Sequence, residues 1–529
     1  MKKKILAALL VVALAVLPLA ACGQADTGSG GTPAPAPEAS ADNSAADPAG
    51  SAGFANVDYT LKLVTTGWDT QAGQADVENA LNDKFAELGY PGLGVEIIGF
   101  SWADYEAGKM ATFVLSGEDY DVVWVPEWVN FYREARDGGA WQPWDNYLNI
   151  VPEYYEMIEP YIEIIKEDGF AGSTVKEVMR VPTFKEFTNT VCAMRFNLTA
   201  ARGLGIENEL RNIKSLDELD PYLQMFLDKY PERMPVLAVD SGGLAGAFNG
   251  GQDTNTFGPV YNRDSDSFKI GVFEPWFMEY MNTLRRWVDA GFIPEYQTTE
   301  VWENLKARFG AESFLVYFNS GKPGLEAEMN MKADIDGFEW GVTDFSDTML
   351  DRNSILGNPY ALNANAKNPE VAAFIYQMLC TNAELNNILN FGIEGVNWTL
   401  ESDGTLNAIP DSGYAPNIMA WLGNRLLCHR LPGEPEGGVG LLYEEANASA
   451  LIFPNFGFNF SENYIDNRGN WDVFWGVSAQ VKDQYERSMH TGRLTDSDIA
   501  TIQQMLTNGH AEYMISIYDK AYEDFKNSK

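Results

Sequence analysis

Along residues 59–125, the spacing of the hydrophobic residues alternates between that of a strand and that of a helix. Alternation at 59–65 predicts a strand, and an apolar helical face ending at Gly89 follows it. That face consists of Val77, Leu81, Phe85 and Leu88. Further spacing predicts a strand at 95–100, a helix at 102–115 and a buried strand at 120–125. The β-α-β-α-β order is typical of a mostly parallel sheet with helices on both faces.

Strands and helices continue to alternate after residue 191. Ser215 and Glu218 have the spacing of a helix capping box, and Asn368 precedes Pro369 as an N-cap precedes a first helical residue. Residues 314–318 read as another buried strand. One helical stripe consists of Phe277, Tyr280, Met281, Leu284, Trp287 and Val288, for which a core role is favoured. The fold class predicted from these patterns is α/β.

The N-terminal segment has the layout of an export signal. Three lysines at 2–4 precede an apolar run at 5–19, and two small residues stand directly before Cys22. This arrangement resembles the bacterial lipobox, in which the cysteine is acylated. Residues 1–21 are therefore predicted to be a lipoprotein signal peptide. Residues 22–55, which consist almost entirely of small and polar residues, are predicted to be a flexible tether.

The composition limits the partners of the remaining chain. With 75 acidic and 37 basic residues in 529, the formal net charge is -38, which disfavours nucleic acid. The length predicts at least two domain-sized units. Cys192, Cys380 and Cys428 have neither zinc-site spacing nor a dense disulfide framework, and one disulfide among them is left open.

Motifs of catalysis are missing from the sequence. It contains no phosphate-binding loop, no Gly-x-Ser-x-Gly turn and no His-Glu-x-x-His helix. We therefore predict no enzyme activity, no cofactor and no metal site. A pair of catalytic carboxylates like that of glycosidases stays an open alternative, because such a pair has no local sequence pattern by which it could be recognised or excluded.

Aromatic and amide side chains cluster after predicted strands, where open α/β sheets bind their ligands. Aromatic rings pack on the C–H faces of sugars, and amides and carboxylates bond their hydroxyls. For each residue, a core or turn role is an equally open interpretation. The predicted ligand-binding residues are Thr66, Trp68, Asp69, Trp128, Asn130, Asn319, Asn358, Tyr360, Glu394, Trp421 and Asn424, with Trp68, Trp128 and Trp421 as the preferred platforms.

Several short segments resemble family 1 extracellular solute-binding proteins in order and spacing. The first are FSWADY at 100–105, SGEDYDV at 116–122 and GGAWQPW at 138–144, followed by VP at 181–182 and MRFN at 194–197. KNPE at 367–370, NFGIEG at 390–395 and WLGN at 421–424 resemble a subset with an extended C-terminal region. The resemblance implies a type II periplasmic-binding-protein-like fold, in which hinge strands join two lobes around a ligand cleft.

On this resemblance, lobe 1 comprises residues 56–187 and 353–400, and lobe 2 comprises 188–352 and 401–529. The implied function is a monomeric lipoprotein on the outer side of the membrane, anchored through Cys22. It captures a sugar or oligosaccharide by hinge closure and delivers it to an ABC permease. Three alternatives stay open: the same fold binding a peptide or other solute, a surface glycoside hydrolase, and an adhesin or sensor.

Overall fold

The computed structural model describes residues 51–67, 71–126, 129, 131–169, 173, 175–237, 243–249, 255–293, 310–331, 337–414 and 422–528. Its strands are β1 Tyr59–Thr66, β2 Leu93–Phe100, β3 Val122–Trp124, β4 Trp141–Gln142, β5 Glu167–Asp168, β6 Lys176–Glu177, β7 Arg180–Pro182, β8 Thr188–Asn197, β9 Met234–Leu237, β10 Pro259–Asn262, β11 Ser267–Ile270, β12 Phe314–Gly321, β13 Trp340–Asp344, β14 Thr348–Leu350, β15 Pro359–Asn363, β16 Trp398–Leu400 and β17 Leu406–Ala408.

Helices connect these strands and cover their sheets. They are α1 Gln74–Glu87, α2 Trp102–Glu106, α3 Lys109–Leu115, α4 Tyr132–Asp137, α5 Pro152–Ile158, α6 Ile162–Ile165, α7 Leu198–Leu204, α8 Glu207–Asn212, α9 Asp220–Lys229, α10 Gly243–Phe248, α11 Pro275–Asp289, α12 Leu325–Met331, α13 Arg352–Ile355, α14 Pro369–Thr381, α15 Ala383–Phe391, α16 Val439–Ser449, α17 Arg468–His490, α18 Asp496–Asn508 and α19 Ala511–Ser528. Within the described ranges, none of the helices has the length and apolarity needed to cross a membrane.

The first sheet contains the predicted β-α-β-α-β unit. Its strand order is β2-β1-β3-β15-β4, and β7 also pairs with β15. β1 is parallel to both β2 and β3, whereas β15 is antiparallel to β3 and β7. α1 buries Val77, Leu81 and Phe85 against this sheet, as their spacing predicts.

Two local predictions were wrong. The helix predicted at 102–115 is divided into α2 and α3, because Gly108 has a left-handed backbone with φ of 73°. The predicted capping box is not formed: the Ser215 hydroxyl donates to the Glu218 carboxylate (3.1 Å) and caps no backbone N–H. A 3₁₀ turn at Leu216–Leu219 precedes α9 instead. The cap predicted at Asn368 is confirmed, since its side chain accepts from Val371 N.

The second sheet has the order β13-β8-β12-β9, with β14 also paired to β8. β8 is antiparallel to β12, β13 and β14, and β9 is parallel to β12. The stripe predicted on α11 is largely buried against the core of this sheet, as its helical spacing requires.

Each sheet has its own hydrophobic core, as expected for two lobes. Trp124 and Phe374 belong to the first core, and Met194 and Phe277 belong to the second. Tyr414, from the segment predicted for lobe 2, is buried in the first core, and its hydroxyl donates to Leu389 O (2.7 Å). At this residue the packing therefore differs from the predicted boundary at 400. The lobe boundaries otherwise stay a prediction.

Candidate functional site

The topology turns the carboxyl ends of both sheets toward each other. In the first sheet, β7 runs parallel to β3 because both are antiparallel to β15. The chain thus leaves this sheet at Pro182, at the edge where β1, β2 and β3 end. In the second sheet, Gly321 at the end of β12 pairs with Thr190 near the start of β8. The chain enters at that edge, so the space between the sheets lies at the carboxyl ends of their strands, where α/β proteins bind ligands.

Two crossing segments, 183–187 and 351–358, join the sheets. They are bonded to each other, because both Thr183 N and its hydroxyl donate to Asn358 O at 3.1 Å. The Asn358 side chain is buried and accepts from Trp124 Nε1 (3.1 Å) at the end of β3. This predicted ligand residue therefore fixes the crossing to the first sheet, at the base of the space between the sheets.

The first-sheet edge combines bonded polar groups with an exposed ring. The Thr66 hydroxyl donates to Phe100 O (3.4 Å), and Tyr360 is fully buried with its hydroxyl 3.3 Å from that of Thr65. Trp102, directly after β2, is 43% exposed, and its ring lies edge-on to Trp124 with centroids 6.3 Å apart. The Trp102 ring is thus partly exposed to solvent at this edge.

Sequence reasoning did not select Trp102 as a binding residue, although it lies in the FSWADY segment. Its position at the start of a predicted helix gave no sign of its exposure. A Cβ on Gly67 would lie 3.1 Å from Trp102 Nε1, so the glycine after β1 leaves room for this ring. β1 leads through Gly67 into the segment 68–69, which was predicted to bind the ligand.

The second-sheet edge carries Asn319, another predicted ligand residue. Its side-chain amide donates to the Tyr317 hydroxyl (2.6 Å), and its Oδ1 accepts from Ser320 N (2.7 Å). A Cβ on Gly243 would lie 2.5 Å from Asn319 Cα, so only glycine lets α10 begin against this strand end. Asn319 is half-buried and lies at the carboxyl edge of β12.

A charged network links the end of β12 to the first crossing. Lys322 Nζ lies 2.6 Å from Glu328 Oε2 and 3.8 Å from Glu186 Oε2. Arg425 pairs with Glu328 and with Glu434. Burial acts to raise the pKa of Glu186, but Lys185 and Lys322 outweigh it and hold that pKa below its usual value. These pairs fix the turn after Asn319 relative to the crossing.

A second buried network supports the end of β3. Arg180, which is fully buried, donates to both carboxylate oxygens of Glu167 at 2.8 and 2.7 Å, and Arg352 donates to Glu167 Oε2 (2.9 Å). Arg180 also donates to Val125 O (3.1 Å), at the start of the loop predicted to carry ligand residues. Burial acts to raise the pKa of Glu167, but the two guanidinium groups lower it to about 2.

A family model identifies the protein at the level of family. The model of bacterial extracellular solute-binding proteins matches residues 67–376, more than half of the chain. The chain belongs to this family. This match confirms the resemblance found in the sequence. It also supports a location outside the cytoplasm, because the family is described as extracellular. The family consists of binding proteins.

Relatives of this solute-binding protein cover most of its length. A carbohydrate ABC transporter substrate-binding protein of Streptococcus pneumoniae serotype 4 is 24% identical over 459 residues, 83% of this chain and 86% of that protein. The N-glycan transport solute-binding protein NgtS of S. pneumoniae has a TM-score of 0.71 at 20% identity, covering 89% of this chain and 100% of its own. Its complex with Man5GlcNAc gives 0.69 at 20% identity, with coverages of 89% and 99%. These likenesses confirm the two-lobed α/β fold.

Two further predicted ligand residues of the solute-binding protein, Glu394 and Asn424, are not in the strand-end segments described above. Glu394 is exposed in the turn after α15, where it forms an isolated bridge with Trp398. Asn424 is 2% exposed; its amide donates to Cys380 O (3.0 Å) and its Oδ1 accepts from Leu426 N (2.9 Å). Any ligand contact by Asn424 must therefore compete with these bonds. The predicted residues outside the described ranges are Trp68, Asp69, Trp128, Asn130 and Trp421.

The cysteines of the described ranges are unpaired. Cys192 and Cys380 are buried, Cys428 is half-buried, and none forms the disulfide that the sequence left open. Burial raises the pKa of the Cys428 thiol to about 11 and that of Cys192 to about 12. Cys22 lies outside the described residues. In the part of the chain that the structure describes, no group of three or more His, Cys, Asp or Glu side chains is arranged to hold a metal ion.

Proposed function

We propose that this protein captures a sugar or oligosaccharide between its lobes and delivers it to the permease of an ABC importer. The observation that carries the proposal is the pair of facing strand edges, one with the exposed Trp102 ring and the other with the polar Asn319. A pyranose presents apolar faces and a rim of hydroxyls, which match a ring on one side and amide groups on the other. The binding proteins named above for carbohydrates and N-glycans support the same ligand class.

Hinge closure is the mechanism that two crossing segments allow. A ligand that contacts both edges binds the closed form more tightly than the open form, and so shifts the population toward closure. The bonds between Thr183 and Asn358 keep the two crossings together, so the lobes can rotate about them as bodies. The permease then distinguishes the closed, loaded form from the open one. No chemical conversion of the sugar is part of this cycle.

The N-terminal segment adds a lipid anchor to the proposal. The small residues before Cys22 fit acylation of that cysteine after export, and residues 22–55 then serve as the tether of the binding body. The anchor would keep the protein at the outer face of the membrane, close to its permease. Mass spectrometry of the protein purified from its membrane tests this: a Cys22→Ser variant should lose both the acyl mass and the membrane association.

Calorimetry against a panel of oligosaccharides, including Man5GlcNAc, tests the function. At least one member should bind. Trp102→Ala should weaken that binding about tenfold or more, since tryptophans that become buried against a ligand are among the residues that contribute most to binding energy. Trp102→Phe should lose less. Phe273, which is 42% exposed beside β11, offers a matched control whose replacement by Ala should leave binding unchanged. Release of smaller sugars during the titration, or binding of a peptide with no sugar bound, would contradict the proposal.

A further inference from the structure

Arg195 lies within the second sheet, and its side chain reaches toward the cleft edge of that sheet. It is on β8, opposite Tyr317 of β12 and Val342 of β13. Its Nη2 donates to Ser320 O (2.5 Å), and its guanidinium carbon lies 5.7 Å from the centre of the Tyr317 ring. The side chain therefore extends along β12 toward the carboxyl end of that strand, and its charge lies beside the predicted ligand residue Asn319.

This guanidinium is partly desolvated, and no described residue serves as its counter-ion. Among the residues that the structure describes, no carboxylate is within ion-pairing distance of Arg195, and its buried Nε has no hydrogen-bond partner. Asp344, on the adjacent β13, forms no ion pair with Arg195. Its Oδ1 lies next to Gly321 instead, 2.7 Å from where a Cβ on that glycine would be. Loss of water around the guanidinium lowers its pKa, yet an arginine stays charged at neutral pH. A charge in this state gains strongly from an anion.

Three arginines that are more deeply buried than Arg195 have carboxylate partners within the protein. Arg180 and Arg352 share Glu167, and Arg425 pairs with two carboxylates. Arg493 also has a buried Nε without a hydrogen-bond partner, but it follows α17 and lies at neither sheet edge. Arg195, which has no carboxylate partner among the described residues, differs from Arg493 because its guanidinium reaches the edge where a ligand is expected.

We propose that the ligand is an acidic oligosaccharide and that Arg195 binds its carboxylate. The inference rests on the proposed function and adds the chemical class of the sugar. A guanidinium presents donors in a planar fork that matches a carboxylate in two parallel hydrogen bonds, and closure of the lobes strengthens these bonds by excluding water. A neutral hydroxyl in the same place would leave the desolvated charge without compensation. Uronic and sialic acids both carry such a group.

The negative net charge of the protein repels an anionic ligand mainly while that ligand is still outside the cleft. Its formal value is -38, but salt at physiological strength screens exposed charges beyond about 8 Å. A contact inside the cleft is screened much less. The overall charge therefore lowers the rate of encounter more than it lowers the strength of the bound contact.

Calorimetry with matched ligand pairs tests the inference. Each pair consists of a uronate- or sialate-containing oligosaccharide and the same molecule with its carboxylate reduced to an alcohol. The wild-type chain should bind an acidic member about 10- to 100-fold more tightly than its reduced form, as expected for a charged hydrogen-bonded pair. Arg195→Met should abolish this difference, and Arg195→Lys should retain part of it. Arg493→Met is the matched control and should leave the difference unchanged.

The outcomes separate this inference from the proposed function. If neutral sugars bind as tightly as acidic ones, or if Arg195→Met leaves the acidic preference intact, the inference is wrong and the protein is still a sugar-binding protein. If no sugar binds while a peptide or another solute does, the proposed function is wrong as well. Pairs with uronic and with sialic acid show which source of the carboxylate is accepted. Equal thermal stability of wild type and Arg195→Met excludes misfolding as the cause of a lost preference.

Discussion

Arg180 in the first lobe and Arg195 in the second present the same side chain in opposite electrostatic states. Arg180 is fully buried, bonded to both oxygens of Glu167 and supported by a carbonyl group at the end of β3. Arg195 is half-buried, and among the described residues it has one carbonyl partner and no acceptor for its buried Nε. The first arrangement is complete without a ligand and maintains the fold. The second leaves binding capacity unused beside the cleft, which is what a recognition site requires.

Removing the carboxylate from the first arrangement should have the largest effect. Glu167→Gln leaves Arg180 and Arg352 buried without an anion, and we expect a loss of about 3–5 kcal/mol in the free energy of unfolding. Urea denaturation measures this loss. Adding Arg180→Met to the same chain should restore part of it, because one of the two unpaired charges is then gone. A loss below about 1 kcal/mol would show that the network is not structural.

Acid should weaken the same network. The folded-state pKa of Glu167 is about 2, below the ordinary 4.5, because two guanidinium groups outweigh burial. Its contribution is therefore fully present above about pH 4.5 and is lost as the pH falls toward 2, with roughly 3 kcal/mol at stake. Denaturation between pH 3 and 6 should show a steeper fall for wild type than for Glu167→Gln. Parallel curves would contradict the assignment.

A carboxylate placed next to Arg195 should pair with its guanidinium, as Glu167 pairs with Arg180. Val342 lies opposite Arg195 on β13 and on the same face of the sheet. Val342→Glu should weaken binding of the acidic oligosaccharide by about tenfold, because the new anion competes for the guanidinium. Val342→Gln, of the same size without the charge, is the control and should weaken it less. Equal effects of both variants would indicate a steric cause.

Replacing Arg195 itself should have the smallest effect on stability. Arg195→Met removes a charge that has no carboxylate partner among the described residues, so the free energy of unfolding should change by less than about 1 kcal/mol. The same denaturation experiment as for Glu167→Gln measures it. A loss of several kcal/mol would mean that Arg195 maintains the fold as Arg180 does.

The sequence predicted the strands and helices better than it predicted the site. Hydrophobic spacing located β1, α1 and β2: α1 buries one regular face, and each strand contains a run of consecutive buried residues. It did not reveal the break at Gly108, since the glycine lies between two stretches of helical pattern. Asn424 was selected for its place after Trp421, yet its amide bonds the protein interior. Such a choice of bonding partner depends on the folded chain.

Charge compensation is also invisible in the sequence. Glu167 and Arg352 are 185 residues apart, and only the crossing of the chain between the sheets brings them together. The lack of a carboxylate partner for Arg195 in the described part of the chain is a property of its surroundings in three dimensions, so its residue type alone gave no signal. Trp102 was overlooked for the same reason, because exposure at a sheet edge depends on neighbouring loops.

Closure of two lobes around a sugar is the central claim, and solution scattering tests it most directly. The full chain should be measured alone and saturated with the tightest-binding oligosaccharide found by calorimetry. We predict a smaller radius of gyration for the saturated protein, and no such change when a non-binding sugar is added at the same concentration. Saturation without any decrease in the radius of gyration would contradict the account.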